Sequence, residues 1–337
     1  MRLQAFSLSL FVTVLAASLL VPRFSPAEAG PTGSQAATPA TAQQPQQPIR
    51  VQVQLVNLFA TVRDNHKRII ADLKQDDFRI SEDGQEQKIA FFSRETSLPI
   101  TLGLLIDTSG SQEFLLGPEQ EAATRFLARV LRPTDLAMVI NFDVDVDLLS
   151  DFTADRGQLD RAIHRARINA PGPRGPVQGP LPQRTPKGTS LYDAIYLACR
   201  EKLASEAGRK ALVILTDAED VGSKVKLEEA LEAAQRTDTV IHILLIADPR
   251  QYFGFYHGDS VARKLAEETG GRSISVRNEK HLEEAFDQIS EELRSQYTLG
   301  YYPANPARDG RFRKVKTETT SKDLRVLARK GYYAPKE

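Results

Sequence analysis

Three short segments carry the side chains best suited to chemistry. Asp107-Thr108-Ser109-Gly110-Ser111 sets a carboxylate and two hydroxyls at alternate positions, Gly188-Thr189 adds a third hydroxyl, and Leu215-Thr216-Asp217 adds a second carboxylate. Asp107, Ser109, Ser111, Thr189 and Asp217 offer only oxygen, with no His or Cys among them. Such donors select a hard cation, Mg²⁺ or alternatively Mn²⁺ or Ca²⁺, over zinc.

The elements around these residues determine where they meet. Leu102 to Ile106 reads as a buried strand ending at Asp107, and Ala211 to Leu215 as a second one ending at Thr216-Asp217. Thr189 stands just before an apolar helical pattern, so its hydroxyl can project from a helix N-terminus. In an open parallel sheet, ligand groups gather where strands end and loops begin. Asp107 is therefore expected on a loop at the sheet edge, packing no core.

Residues 98–294 alternate strands with amphipathic helices, the pattern of an α/β, doubly wound, mostly parallel sheet. Strands are predicted over Ile100 to Ile106, Leu136 to Phe142, Ala211 to Thr216, Val240 to Ile246 and Ser273 to Val276, with Val146 to Leu149 as a short edge strand. Helices are predicted over Pro118 to Leu131, Arg156 to Arg167, Leu191 to Leu203, Leu227 to Gln235, Ser260 to Thr269 and Lys280 to Arg294. The single cysteine, Cys199, lies in one of these apolar helical patterns and reads as a small core residue.

The order Asp107-x-Ser109-x-Ser111, then Thr189, then Asp217 in Leu-Thr-Asp resembles the metal-ion-dependent adhesion site (MIDAS) of von Willebrand factor A domains, across roughly residues 98–294. The resemblance implies that Ser109 and Ser111 bind the ion directly and that Thr189 does so directly or through water. It implies that Asp107 and Asp217 act chiefly through waters, leaving one position for an acidic group of a protein partner. Ala218 stands where many relatives have Gly, a departure expected to be harmless.

Both flanks are β-rich. Ile49 to Val62, Phe78 to Ile80 and Ile89 to Phe92 read as strands, with Glu82-Asp83-Gly84 a hairpin turn between the last two. Tyr297 to Tyr302, Phe312 to Glu318 and Leu324 to Ala328 follow the α/β region. Five of the nine tyrosines fall between Tyr297 and Tyr333, a distribution that suits packing of a small β-module. Neither flank alone buries a sufficient core, so residues 49–97 and 295–337 are expected to pair into one β-sandwich-like module with the α/β domain inserted between them. Asp77 to Gly84, Gly300-Tyr301-Tyr302-Pro303 and Ala328 to Pro335 resemble a group of exported von Willebrand factor A-related proteins common in acidobacteria.

Residues 1–29 read as a signal peptide: Arg2, an apolar run from Ala5 to Val21, then Ala27-Glu28-Ala29 with cleavage expected after Ala29. An uncleaved anchor is the alternative, and either places the body outside the cytoplasm. Residues 30–48 contain no large apolar side chain and read as a disordered linker. No later stretch could cross a membrane. The 337-residue chain has 44 basic and 44 acidic residues without a basic face, which gives no reason to expect nucleic acid as a partner.

Two loops invite attention. Residues 170–187 carry six prolines and three glycines and lead to Thr189. Tyr252, Phe253, Phe255 and Tyr256 follow the strand ending at Ile246, and a loop there would leave the metal-bearing edge with four aromatic anchors for a partner. A non-enzymatic, cation-dependent protein-binding module is the reading favoured. A structural role, with the ion stabilising the fold, is the runner-up. The enzyme reading is a haloacid-dehalogenase-like phosphatase with Asp143 as nucleophile, resting on Phe142-Asp143-Val144-Asp145-Val146. None of the five histidines has a general-base context.

Overall fold

The computed structural model describes residues 55–94, 98–168, 188–246 and 257–336. The expected signal segment, linker, proline-rich loop and aromatic loop, with Tyr252, Phe253, Phe255 and Tyr256, lie outside the described residues.

The α/β part is built on a six-stranded sheet. β5 (Ile100–Asp107), β6 (Leu136–Phe142), β8 (Arg209–Thr216), β9 (Thr239–Ile246) and β10 (Ser273–Val276) run parallel, and β7 (Val146–Thr153) pairs antiparallel with β6 at one edge. The spatial order is β10-β9-β8-β5-β6-β7. Every residue of β5 and β9 is buried, because helices cover both faces. On one face Leu102, Leu104 and Ile106 pack with α1 (Leu116–Val130), α2 (Arg156–Ile163) and α6 (Glu279–Arg294). On the other, Leu105 joins α3 (Leu191–Leu197), α4 (Leu227–Arg236) and α5 (His257–Thr269). Gly103 also belongs to that second face, where a Cβ would come within 2.4 Å of Leu212 Cδ2.

Two helices are shorter than their periodicity predicts. α2 ends at Ile163 and not at Arg167. α3 leaves α-helical geometry after Leu197 and continues as a π turn over Ala198–Lys202, followed by a 3-10 turn at Leu203–Ser205. Ala198, Cys199 and Leu203 are buried, so packing against the sheet accommodates the widened turn.

The flanking segments contribute β1 (Val56–Arg63), β2 (Phe78–Glu82), β3 (Gln85–Gln87) and β4 (Ile89–Ser93) from one side of the insertion. From the other come β11 (Tyr297–Tyr301), β12 (Phe312–Thr319), β13 (Arg325–Leu327) and β14 (Gly331–Tyr333). They interleave in two four-stranded sheets, β13-β1-β11-β4 and β14-β12-β2-β3, around a shared core that includes Leu58, Ile80, Tyr297, Tyr301 and Val315. The turn at Asp83-Gly84, with φ of 48° and 85°, does form a hairpin. It joins β2 to β3, however, and not to Ile89–Ser93, which crosses to the other sheet. β3 and β14 are three-residue strands, too short to show a period in the sequence.

The two crossings between module and insertion lie side by side. Arg209, buried at the start of β8, donates to the carbonyl of Leu98 at 2.7 Å and to that of Leu293 at 2.7 Å. Nearby, Asp135 accepts from the Ile100 amide at 2.9 Å and from the Arg294 guanidinium. A deeper ionic cluster also spans both parts. Glu292 of α6 pairs with Arg63 of β1 at 2.6 Å and with Arg272 at 2.7 Å, and the ring of His242 in β9 lies 3.6 Å from its second oxygen.

Candidate metal centre

β5 and β8 are neighbours at the point where the chain's winding reverses, one half building outward through β6 and the other through β9. Crevices at such a point lie beyond the carboxyl ends of the strands. Asp107 closes β5 and Asp217 follows the last residue of β8, so the two carboxylates occupy adjacent strand ends.

Asp107 is fully buried as the final residue of β5, which corrects the expectation that it lies on a loop and packs no core. The strand runs one residue further than the apolar pattern because the side chain is itself part of the packing. Its Oδ1 accepts from the Ser109 amide at 2.9 Å and its Oδ2 from the Thr216 hydroxyl at 2.6 Å. Burial first, and then the neighbouring Asp217 carboxylate, push the Asp107 carboxyl up to about 7.

Ser109 and Ser111 bring their hydroxyl oxygens within 3.0 Å of each other. The Gln112 amide nitrogen reaches 3.5 Å from Ser111 Oγ and 3.5 Å from the Ile246 carbonyl, tying the loop to the end of β9. Thr108 turns the other way, donating to Asp143 Oδ2 at 3.0 Å while Asn141 donates to it at 3.3 Å. Asp143 is thereby held against the first loop, directly after β6, the second strand from the sheet edge.

Thr189 is fixed through its backbone. Its amide donates to the Val221 carbonyl at 3.1 Å and its carbonyl accepts from the Val221 amide at 2.9 Å, pinning it to the loop that begins at Asp217. A Cβ at Gly188 would meet that same Val221 carbonyl at 2.9 Å, so glycine allows the approach. Ser190 anchors the other side, its amide donating to the Asp143 carbonyl at 2.6 Å and its hydroxyl to the Val144 carbonyl at 3.0 Å. Asp217 Oδ1 accepts from the Glu219 amide at 3.1 Å. Between them Ala218 adopts a φ of 58° with its methyl buried, so this position lies in the region that favours glycine.

Asp107 at the end of β5 and the loops carrying Ser109, Ser111, Thr189 and Asp217 thus share one edge of the sheet. Sequence reasoning missed the groups that hold them, Thr216, Thr108 and Gln112, and also the buried Glu119 of α1. Thr216 had a signal, since a threonine preceding the strand-end aspartate shares its edge. Glu119 had none, because an acid in the first turn of a helix ordinarily faces solvent. Burial first, then the charges of Asp107 and Asp217, push Glu119 up to about 8. On the rim, Phe114 and Val221 are 70% and 57% exposed, apolar side chains beside a polar site.

The donor set fits a hard divalent cation. Its oxygens are buried or half-buried, and a cation would offset the repulsion between carboxylates on adjacent strands. Among the described residues no cluster of three or more His, Cys, Asp or Glu side chains is arranged to hold a metal, so an ion here would depend on the hydroxyls.

Fold and site together describe a doubly wound α/β domain with an all-oxygen centre at its switch point, carried on a β-module. No family model and no curated protein matches the chain. Solved structures are similar to it. A conserved hypothetical protein, BatB, from Bacteroides thetaiotaomicron is 17% identical over 58% of this chain and 100% of its own, with a TM-score of 0.45. A von Willebrand factor type A structure from Catenulispora acidiphila is 13% identical over 84% of this chain and 74% of its own, with a TM-score of 0.46. Proximal thread matrix protein 1 from the mussel byssus, in a structure with a zinc-occupied MIDAS motif, is 12% identical over 63% of this chain and 49% of its own, with a TM-score of 0.47.

Proposed function

We propose that this chain is an exported protein-binding module whose α/β domain engages a partner through a divalent cation, Mg²⁺ in the first instance. Asp107, Ser109, Ser111, Thr189 and Asp217 would hold the ion. The observation that carries the reading is that three separate segments bring these residues to the ends of β5 and β8, with both oxygens of Asp107 already engaged by Ser109 and Thr216.

That engagement orients Asp107 as a fixed anion behind the serine hydroxyls, which fits a role through water better than direct ligation. Ser109, Ser111 and Thr189 contribute neutral oxygens. The ion, when bound, supplies positive charge for a hard anionic oxygen, and an Asp or Glu of a protein partner has that chemistry. Phe114 and Val221 add apolar contact area beside it. Among the described residues no helix is long and apolar enough to cross a membrane. Export and the signal segment belong to the same proposal, on the strength of residues 1–29.

A second reading, in which the ion mainly stabilises the fold, draws support from the full burial of Asp107 next to another carboxylate. Partner capture with and without chelator, set beside thermal unfolding with and without Mg²⁺, separates the two. Chelator-sensitive capture supports the binding module. A melting shift with no chelator-sensitive capture supports the structural role. Turnover of generic phosphate esters that is lost in Asp143→Asn would replace both with the phosphatase reading.

A further inference from the structure

Glu119 stands in the first turn of α1 with 2% of its surface exposed, and neither carboxylate oxygen has a hydrogen-bond partner. Among the described residues it is the buried carboxylate left in this state on both oxygens. The comparison with other buried acids is informative. Glu82 accepts from two tyrosine hydroxyls, Asp135 from two backbone amides and an arginine, and Glu292 pairs with two arginines. A buried ion without a partner is among the most destabilising features a fold can carry. The N-terminal end of α1 contributes favourable dipole, though too little to replace a full counter-charge.

Its surroundings point to what is missing. Leu115, Pro118, Ile246, Val276 and Leu282 form apolar walls around it, and Arg277, Asn278 and Glu279 complete the same pocket. Burial first, and then the charges of Asp107 and Asp217, both of its own sign, disfavour its ionised form. Ile246, whose carbonyl accepts from Gln112 of the Ser109–Ser111 loop, also lines the pocket of Glu119, which places this carboxylate beneath the loop with no hydrogen bond on either oxygen.

We propose that Glu119 is a positioning residue of the metal centre, an anion in the shell behind the ligands whose charge is balanced by the cation and which thereby tightens the site's hold on it. The inference rests on the metal-site reading above and adds to it a residue outside the five-residue motif. Glu119 does not join the ligands. It acts through the buried side of the site, leaving the serine and threonine hydroxyls to face a partner.

The test uses the mature chain, Mg²⁺ alone as probe, and Glu119→Gln, which preserves shape and removes the charge. Calorimetric titration should show Mg²⁺ affinity lowered by roughly tenfold to a hundredfold, the usual range for residues behind the ligand shell. Glu119→Asp, which keeps the charge on a shorter stem, should retain more affinity than Glu119→Gln. In chelator, Glu119→Gln should unfold at a temperature no lower than wild type, while the upward shift on adding Mg²⁺ shrinks. Glu119→Met serves as a second uncharged variant if Gln fails to fold, with the same loss of affinity expected. Unchanged Mg²⁺ affinity in the uncharged variants, or equal loss of melting temperature with and without Mg²⁺, overturns the proposal and leaves Glu119 a packing residue. Wild type that binds no Mg²⁺ at millimolar concentration overturns the metal-site reading itself, and this inference with it.

Discussion

The Tyr301 hydroxyl donates a 2.7 Å hydrogen bond to the carboxylate of Glu82, across the whole inserted domain in sequence. Tyr332 donates to the same oxygen at 3.0 Å. Burial first, and then Glu82, push both phenols above the ordinary tyrosine range. Three flanking motifs thus meet at one buried carboxylate: the Glu82-Asp83-Gly84 turn, Gly300-Tyr301-Tyr302 and Gly331-Tyr332-Tyr333. Tyr301→Phe should lower stability by about 2 kcal/mol, the scale of a hydrogen bond to a charged group. Chemical denaturation measures it, and a loss under about 0.5 kcal/mol would argue against a strong bond. Mg²⁺ affinity should stay unchanged.

The metal site predicts a division among its own members. Ser111→Ala removes a half-buried oxygen without leaving a backbone donor orphaned, so it should lose Mg²⁺ binding and keep the fold. Asp107→Ala should lose Mg²⁺ binding and also disturb the apo protein, because the Ser109 amide and the Thr216 hydroxyl lose their acceptor. Calorimetry with circular dichroism distinguishes the two, and equal Mg²⁺ affinity in wild type and Ser111→Ala would count against the site.

His242 predicts a pH dependence. Burial holds its imidazole below the ordinary range, the charge of Glu292 opposes this, and Arg272 and Arg63 reinforce it. The unfolded chain then binds a proton near pH 6.5 that the folded chain refuses, so stability falls as pH drops through about 6.5. Asp107 and Glu119, shifted upward, act with the opposite sign, losing stability as pH rises. The contrast with His242→Leu isolates the histidine: between pH 7 and 5.5 the wild-type melting temperature should fall more than the variant's. Parallel curves would refute the assignment.

Ala218 predicts tolerance within narrow limits. Glycine would relieve its φ of 58° but forfeit a buried methyl, and these opposed effects are each about 1 kcal/mol. Ala218→Gly should therefore leave the melting temperature nearly unchanged. Ala218→Val should destabilise by more than about 1 kcal/mol, since a β-branched side chain suits that backbone region poorly.

Much of the α/β fold was legible because its strands are apolar runs bounded by loops. Leu136–Phe142 and Ser273–Val276 match their predicted bounds residue for residue. The β-module was harder to read, because four of its six strand pairings join residues more than 200 positions apart and its shortest strands have no period. At the site, the oxygen donors announced themselves by type and spacing. What holds them did not. Thr189 depends on a backbone bridge to Val221, and Glu119 on burial that a single carboxylate letter does not reveal.

Arg209 gives the insertion a property of its own. One guanidinium grips the chain just before it enters the α/β domain and again just before it leaves. A domain whose two ends are held within a side chain's width behaves as a plug-in part. Removing it would leave the surrounding sheets a gap that a few residues could bridge, and joining its own ends would demand little rearrangement. The β-module is in that sense a socket, and a differently equipped α/β domain fitted to it would need to supply an acid for Arg63 of β1 in place of Glu292.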